Sequence, residues 1–157
     1  MYGSGNTHMN EWLYLSIFTI YSINSVIEDV LSFRVRLHEI ALGIAVVLAV
    51  RAIMGDGGWM EALASGAIGA LVFLVVEKAS KGRLGAGDIW FSAFIGVSFG
   101  FWTWDLGLLA AAALAAAWVC ALSLSGRRGA LRQIRIPFVP FMFAGAIAVA
   151  LYRGLSR

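Results

Sequence analysis

The sequence predicts an all-α integral membrane protein that forms a bundle of six transmembrane helices. Of its 157 residues, 61% are hydrophobic and 13% are charged, and the mean hydropathy is +0.84. This composition leaves too little polar surface to cover a water-soluble domain. The net charge is +3, but the basic residues lie in short clusters between apolar runs, a pattern typical of membrane orientation signals. The predicted partner is therefore the lipid bilayer and not nucleic acid.

Six apolar segments account for the predicted helices. A spanning helix needs about 20 mostly apolar residues, and fewer where the bilayer thins around it. The segments are residues 12–27, 37–54, 60–76, 88–101, 106–124 and 137–151. The tryptophan-rich corner at 102–105 is interpreted as a turn between the fourth and fifth segments. Residues 1–9 are interpreted as an expression-tag remnant with a second start at Met9, which leaves a single domain at 10–157.

The distribution of Lys and Arg predicts the orientation. Nine of the 12 follow the first, third and fifth segments, and three, Arg51, Arg153 and Arg157, lie on the opposite side. Because positive charges accumulate on the cytoplasmic side of membrane proteins, the odd-numbered connections are predicted to be cytoplasmic and both termini to lie outside the cytoplasm. The protein is expected in the cytoplasmic (inner) membrane, with Asp88 at the cytoplasmic end of the fourth segment.

A carboxylate follows two glycines at the start of the fourth segment, in Gly85-Ala86-Gly87-Asp88. An ionisable acid at a membrane edge is costly to desolvate, which makes Asp88 a candidate functional residue. Because Gly85 and Gly87 have no Cβ atoms, a peptide substrate could approach the backbone closely beside the acid. The alternative is that Asp88 caps the fourth helix by accepting hydrogen bonds from free N–H groups, and the two roles are compatible.

Peptide hydrolysis by carboxylates needs a second acid at the same membrane depth, because one activates water while the other donates a shared proton. Asp29 is the preferred partner, since it ends the first segment at the predicted cytoplasmic boundary. Glu28 competes, but neighbouring helical residues point about 100° apart, so only one of the two faces Asp88. Asp56, Glu61 and Asp105 fall on the predicted outer side and are excluded by topology. The alternative interpretation of Glu28 and Glu39 is an interface charge paired with Arg34, Arg36 or Lys78. Glu77, beside Lys78, is interpreted as an ordinary charge in the same way.

No other catalytic group is predicted. His38, the one histidine after residue 9, is interpreted as an interface residue. Cys120 is the only cysteine, which excludes an intrachain disulfide and a cysteine-rich zinc site, and it is interpreted as a small core residue. No metal or organic cofactor is expected. Four glycines are interpreted as positions of close helix packing: Gly66, Gly69, Gly96 and Gly100.

Three motifs follow one another along the chain. Asp29 ends the first segment and precedes the basic residues Arg34 and Arg36, residues 81–88 carry Gly-x-Gly-Asp after a basic loop, and residues 137–140 read Pro-Phe-Val-Pro. In order and spacing they resemble the type IV prepilin peptidase family, the Gly-x-Gly-Asp aspartyl proteases of the membrane, in its short, peptidase-only form. The resemblance implies that Asp29 and Asp88 cut short basic leader peptides from pilin-like precursors at the cytoplasmic face. It also marks Pro137 and Pro140 as structural motif residues.

The chain departs from the family pattern at three places. Val35-Arg36 stands where family members often have Ile-Pro, Trp90 where they often have Lys, and Val139 where the third motif has Gly. These departures leave the two aspartates in place. They bear on which substrate is cleaved.

Two alternatives stay open. A signal-peptide-peptidase-like intramembrane protease also has Gly-x-Gly-Asp, but its two aspartates lie on consecutive helices, whereas two further predicted spans separate Asp29 from Asp88. A non-enzymatic transporter or assembly component would use the same two acids to bind protons or cations. A transport site is expected near the membrane midplane, whereas both aspartates are predicted at one face.

Overall fold

The computed structural model describes residues 5–54, 58–80, 84–124 and 137–155, and these residues form six α-helices. The all-α prediction is confirmed for this part of the chain, and the predicted bounds of the second helix agree with the structure. The first and fifth helices begin earlier than predicted. The helices are α1 (Gly5–Ser32), α2 (Leu37–Met54), α3 (Trp59–Ala79), α4 (Ala86–Phe99), α5 (Phe101–Leu124) and α6 (Val139–Leu155).

The turn predicted at residues 102–105 is wrong. The chain changes direction between α4 and α5 at Gly100, whose φ is +78°. This left-handed conformation carries little penalty for glycine, because glycine has no Cβ. The Gly100 carbonyl accepts the N–H of Trp104 at 3.1 Å, so the tryptophan-rich corner forms the first turn of α5. Gly100 is therefore a turn residue and not the packing residue that the sequence suggested.

Three of the described helices, α2, α3 and α5, are long and apolar enough to cross a membrane. They have 18, 21 and 24 residues, whereas a bilayer core requires about 20. Helices α4 and α6 are apolar but have 14 and 17 residues, and α1, with 28 residues, is less apolar. The described residues thus carry membrane-spanning character in three helices, whereas the sequence predicted six spans.

Helix α4 occupies the centre of the bundle. It packs against α1, α2, α3, α5 and α6, and seven of its 14 residues are buried. Phe91 and Phe94 of α4 contact Phe18 of α1, with ring centroids 5.7 and 5.0 Å apart. Phe99 and Phe143 complete this aromatic cluster around Phe18. Because aromatic side chains bury large apolar areas, the cluster contributes strongly to the core where α4 meets α1 and α6.

Small residues let two pairs of helices approach closely. Helix α3 packs most extensively against α4, and α5 against α6. A Cβ on Gly96 of α4 would lie 2.6 Å from the carbonyl oxygen of Ser65 in α3, and one on Gly145 of α6 would overlap the backbone of Gly107 in α5. Both contacts involve backbone, so no side-chain movement would relieve them. The predicted packing role is confirmed at Gly66, Gly69 and Gly96.

Candidate active site

The end of α1, the start of α4 and the start of α6 meet at one end of the bundle. Helix α1 contacts both of the other two. Asp29 lies in the last turn of α1 and Asp88 in the first turn of α4. The fold therefore brings to one end two acids that are 59 positions apart in the sequence.

Asp29 is buried at this junction, with 7% of its surface exposed. Its Oδ2 atom accepts a hydrogen bond from the backbone N–H of Val139 at 3.2 Å. Val139 is the first residue of α6, and the first N–H groups of a helix lack partners within the helix and lie at the positive end of its dipole. The start of α6 thus satisfies the Asp29 carboxylate and holds its orientation.

Asp88 is the third residue of α4 and is partly buried. Its Oδ2 atom accepts the N–H of Gly85 at 3.1 Å, as in the half of a capping box where a side chain reaches back to the residue before the helix. The capping role considered from the sequence is confirmed in this form. The charge of Asp29 acts on Asp88, so the two carboxylates lie within electrostatic range. A like charge nearby disfavours the ionised form of a carboxyl group.

Glu28, the competing acid on α1, binds Arg36. The Nε atom of Arg36 donates to Glu28 Oε1 at 2.6 Å, and its Nη1 atom donates to Glu39 Oε1 at 3.2 Å. The hydrogen bond from Arg36 lowers the pKa of Glu28, so Glu28 remains ionised and paired. The predicted pairing of both glutamates with a nearby arginine is confirmed. Asp29, rather than Glu28, is the acid whose charge acts on Asp88.

The chain reverses direction one turn after Asp29. Phe33 has a φ of +52°, a conformation that costs a non-glycine residue roughly 1 kcal/mol. Its N–H donates to the Asp29 carbonyl at 3.0 Å, which closes the end of α1. The reversal leads the chain back across the start of α4.

The two glycines of the Gly-x-Gly-Asp motif have different surroundings. A Cβ on Gly87 would lie 2.6 Å from the Cβ of Val35, in the connection between α1 and α2. A Cβ on Gly85 would meet nothing closer than Asp88 Oδ2 at 3.6 Å. The expectation that both glycines leave room for a substrate therefore needs correction, because the space at Gly87 is filled by Val35. Gly85 is exposed and open.

Pro137 and Pro140 frame the start of α6. Pro140 is the second residue of the helix, a position at which the missing N–H would have had no partner within the helix. The Phe138 carbonyl accepts two N–H groups of the first turn, each at 3.1 Å. Phe138 thus stands at the boundary, and the next residue, Val139, presents its N–H to Asp29.

Val35 and Val139 are the site residues that sequence reasoning missed. Both occur in the sequence as departures from the family pattern. Val139 acts through its backbone N–H, which valine and glycine share, so the departure leaves the bond to Asp29 intact. The sequence indicated only that such a donor must exist, because a buried carboxylate requires a hydrogen-bond partner. No sequence signal pairs Val35 with Gly87, since that contact depends on how two helix ends pack.

The described part of the chain contains no candidate metal site. There, no group of three or more His, Cys, Asp or Glu side chains could hold a metal ion. His38 is exposed in the first turn of α2. Cys120 is exposed on α5, so its predicted place in the core is wrong. The reason is that the buried residues of α5 all lie in its first half, between Thr103 and Ala111.

Comparisons with protein-family models, curated proteins and solved structures find no match for the chain. The candidate site therefore rests on its geometry and its chemistry. Two carboxylates lie within electrostatic range, each accepts a backbone N–H at a helix start, and an exposed glycine lies beside them. Such a pair can hold one proton between two groups and activate a water molecule.

Proposed function

We propose that the protein is a membrane aspartic endopeptidase that removes short basic leader peptides from pilin-like precursors at the cytoplasmic face of the membrane. The observation that carries the proposal is the meeting of Asp29 and Asp88 at one end of the bundle, where the charge of one acts on the other. Peptide hydrolysis by carboxylates requires such a pair. The resemblance of the three sequence motifs to prepilin peptidases supports the same chemistry and supplies the substrate class.

In the proposed reaction the two aspartates share one proton. The ionised carboxylate takes a proton from a water molecule, the water oxygen attacks the carbonyl carbon of the scissile peptide, and the protonated carboxyl donates to the carbonyl oxygen. Collapse of the tetrahedral intermediate breaks the C–N bond, and the leaving amine takes a proton from the pair. Neither aspartate alone is assigned as the general base, because two coupled acids titrate as a pair. The N–H groups of Val139 and Gly85 hold the carboxylates in place for these steps.

All six helices cross the membrane in the proposed arrangement, with both termini outside the cytoplasm. The nine basic residues of the odd-numbered connections support this orientation. Helix α4 is short, but it packs against each of the other five described helices, and seven of its 14 residues are buried. The apolar helix of the precursor lies along the bundle, and its extended leader passes the open backbone at Gly85.

Co-expression with candidate pilin-like precursors, followed by mass spectrometry of the products, tests the proposal. The native chain is expected to remove a leader-sized mass. Asp29→Asn and Asp88→Asn keep the size of each side chain but remove its acid function, so each is expected to lower cleavage roughly a thousandfold or more. Glu28→Gln is the matched control, because it neutralises the neighbouring acid on the same helix and is expected to retain cleavage.

Three other results would redirect the proposal. Cleavage by Asp29→Asn, with loss of cleavage in Glu28→Gln, would transfer the catalytic role to Glu28. A cut within the apolar helix of the substrate would indicate an intramembrane protease of the signal-peptide-peptidase kind. A folded protein that cuts no precursor, yet binds cations in an Asp88-dependent way, would contradict peptidase activity and favour a transport or assembly component.

A further inference from the structure

Two hydroxyl groups of α1, those of Ser22 and Ser25, have no hydrogen-bond partner among the residues that the structure describes. Both side chains are fully buried. A buried hydroxyl without a partner has given up its hydrogen bonds to water and has gained none in return. Because such groups are rare in folded proteins, each one calls for a physical explanation.

Other hydroxyl groups of the described helices bond their own backbone. Those of Ser16, Thr19 and Ser65 each donate to the carbonyl four positions earlier, at 2.9, 2.8 and 2.8 Å. This bond is open to a serine inside a helix, because it requires only a rotation of the side chain. Ser22 and Ser25 do not make it, so their hydroxyl groups remain available to a partner on the buried face of α1.

Both serines lie on the face of α1 that carries Phe18 and Asp29. At about 100° per residue, these four positions fall within an arc of about 60°. Phe18 contacts aromatic rings of α4 and α6, and Asp29 accepts the N–H at the start of α6. The two hydroxyl groups are therefore placed between the aromatic cluster and Asp29, where α1 meets α4 and α6.

The Ser25 hydroxyl lies one turn before Asp29. Side chains four positions apart are neighbours on a helix, and those three apart, such as Ser22 and Ser25, are neighbours as well. Because side chains tilt toward the start of their helix, Asp29 leans over the turn that contains Ser25. An ionised carboxylate has about four acceptor positions on its two oxygens, and the Val139 N–H uses one of them on Oδ2. A rotation of the Ser25 side chain is then enough for its hydroxyl to donate to Asp29.

We propose that Ser25 is a positioning residue for Asp29, with Ser22 behind it. In the ionised state of Asp29, the Ser25 hydroxyl donates to the carboxylate and the Ser22 hydroxyl donates to the Ser25 oxygen, so that both buried hydroxyl groups have a partner. Together with the Val139 N–H, Ser25 holds the carboxylate in the orientation in which it takes a proton from water. This catalytic role rests on the proposed peptidase function, whereas the hydrogen bonds themselves do not.

Thermal unfolding of the purified protein in detergent tests the hydrogen bonds without any measurement of cleavage. Removing a buried hydroxyl that has no partner raises the melting temperature, because alanine buries no polar group, whereas removing one that binds a carboxylate lowers it. Ser25→Ala is expected to lower the melting temperature by about 4 °C or more, and Ser22→Ala by less, since its bond joins two neutral groups. An unchanged or raised melting temperature in Ser25→Ala would overturn the proposal.

Repeating Ser25→Ala in the Asp29→Asn background tests whether Asp29 is the partner. A hydrogen bond to a charged acceptor is about twice as strong as one to a neutral acceptor, so the loss of melting temperature is expected to be about half as large there. The matched control is Ser65→Ala, which removes a buried hydroxyl that bonds its own helix and should shift the melting temperature equally in both backgrounds. An equal shift for Ser25→Ala would assign its hydroxyl to another partner and contradict the proposal.

Cleavage kinetics with a pilin-like precursor test the positioning role. Ser25→Ala is expected to lower kcat about tenfold, as for the loss of one hydrogen bond to a charged group, and to leave KM near native, because the hydroxyl acts on Asp29 and not on the precursor. Ser65→Ala should keep the native kcat and KM. A native kcat in Ser25→Ala, or a loss confined to KM, would overturn the positioning role.

The two measurements separate failure of this inference from failure of the proposed function. A native chain that cleaves no precursor would overturn the peptidase proposal and with it the catalytic role of Ser25, while the melting temperatures would still decide whether Ser25 binds Asp29. Normal cleavage by the native chain, with a raised melting temperature in Ser25→Ala, would reject the bond between Ser25 and Asp29 and leave the peptidase proposal in place.

Discussion

Helices α4 and α5 are consecutive in the chain, joined at Gly100, and have opposite surroundings. Helix α4 has 14 residues, seven of them buried, and it contacts each of the other five described helices. Helix α5 has 24 residues, four of them buried. Its second half presents apolar side chains outward, among them Trp118 and Leu124, which are 53% and 84% exposed.

The contrast teaches that length and hydropathy identify a helix that could cross a membrane, not the helix that carries the candidate chemistry. Helix α5 is long and apolar enough to cross the apolar core of a bilayer, in which a helix satisfies its own backbone groups. Helix α4 is covered by protein, so it accommodates Asp88, Ser92 and Gly96 within 14 residues. Substitutions are therefore expected to be costly at the buried positions of α4 and nearly neutral on the outer face of α5.

The largest stability difference is expected between Gly96→Leu and Ala116→Leu. A side chain at residue 96 would meet the Ser65 backbone within 2.6 Å, so α3 and α4 must separate, which costs about 3 kcal/mol or more. Ala116 is exposed on α5, and leucine there is expected to change stability by less than about 0.5 kcal/mol. Thermal unfolding in detergent measures both. Equal melting temperatures would show that α4 is not the packed centre.

A smaller effect is expected from the buried hydroxyl of Ser92. Its Oγ atom donates to the Gly69 carbonyl at 3.1 Å and accepts from Trp104 Nε1 at 2.8 Å, which links α4 to both α3 and α5. Ser92→Ala leaves the indole N–H buried without this acceptor and is expected to cost about 1–3 kcal/mol. The control is Ser16→Ala, since Ser16 is exposed and bonds the Trp12 carbonyl one turn earlier on α1; a change below about 0.5 kcal/mol is expected there.

A double-variant cycle isolates the hydrogen bond between Trp104 and Ser92. Trp104→Phe removes the indole N–H, so adding Ser92→Ala to that variant should cost about 1 kcal/mol less than Ser92→Ala alone. Additive losses in the cycle would mean that the two side chains contribute independently and that the bond does not join α4 to α5.

The smallest expected effect concerns the donor that orients Asp29, and it presupposes the proposed peptidase activity. Val139→Pro removes the N–H that bonds Asp29 Oδ2, while proline is well tolerated at the first position of a helix. Cleavage is expected to fall about tenfold, as for the loss of one hydrogen bond to a charged group, with the helical circular dichroism retained.

Val139→Ala is the matched control for that variant. It keeps the N–H but shortens a fully buried side chain, so it should lower stability by about 2 kcal/mol and leave cleavage near native below the melting temperature. A similar loss of cleavage in both variants would assign the effect to packing of the side chain rather than to the hydrogen bond.

Much of the fold follows from the sequence, because apolar runs and turn residues act locally. The bounds of α2 and the packing glycines of α3 and α4 were predictable from composition and spacing alone. The turn at Gly100 could not be predicted in this way. Trp102 and Trp104 have the same preference for a membrane interface whether they form a corner or the first turn of a helix. For the candidate site, the sequence singled out Asp29 and Asp88 but did not predict that Val35 would fill the space at Gly87.

The sequence by itself determined the all-α class, the apolar character of the helices that could cross a membrane and the short set of acids from which a pair could be drawn. These are properties of single segments, set by their hydropathy and charge. Only the tertiary structure decided that Asp29 acts on Asp88 while Glu28 binds Arg36, and that a backbone N–H 110 positions away from Asp29 holds its carboxylate. Contacts of that kind arise because helix packing sets which ends meet, and packing depends on all six described helices together.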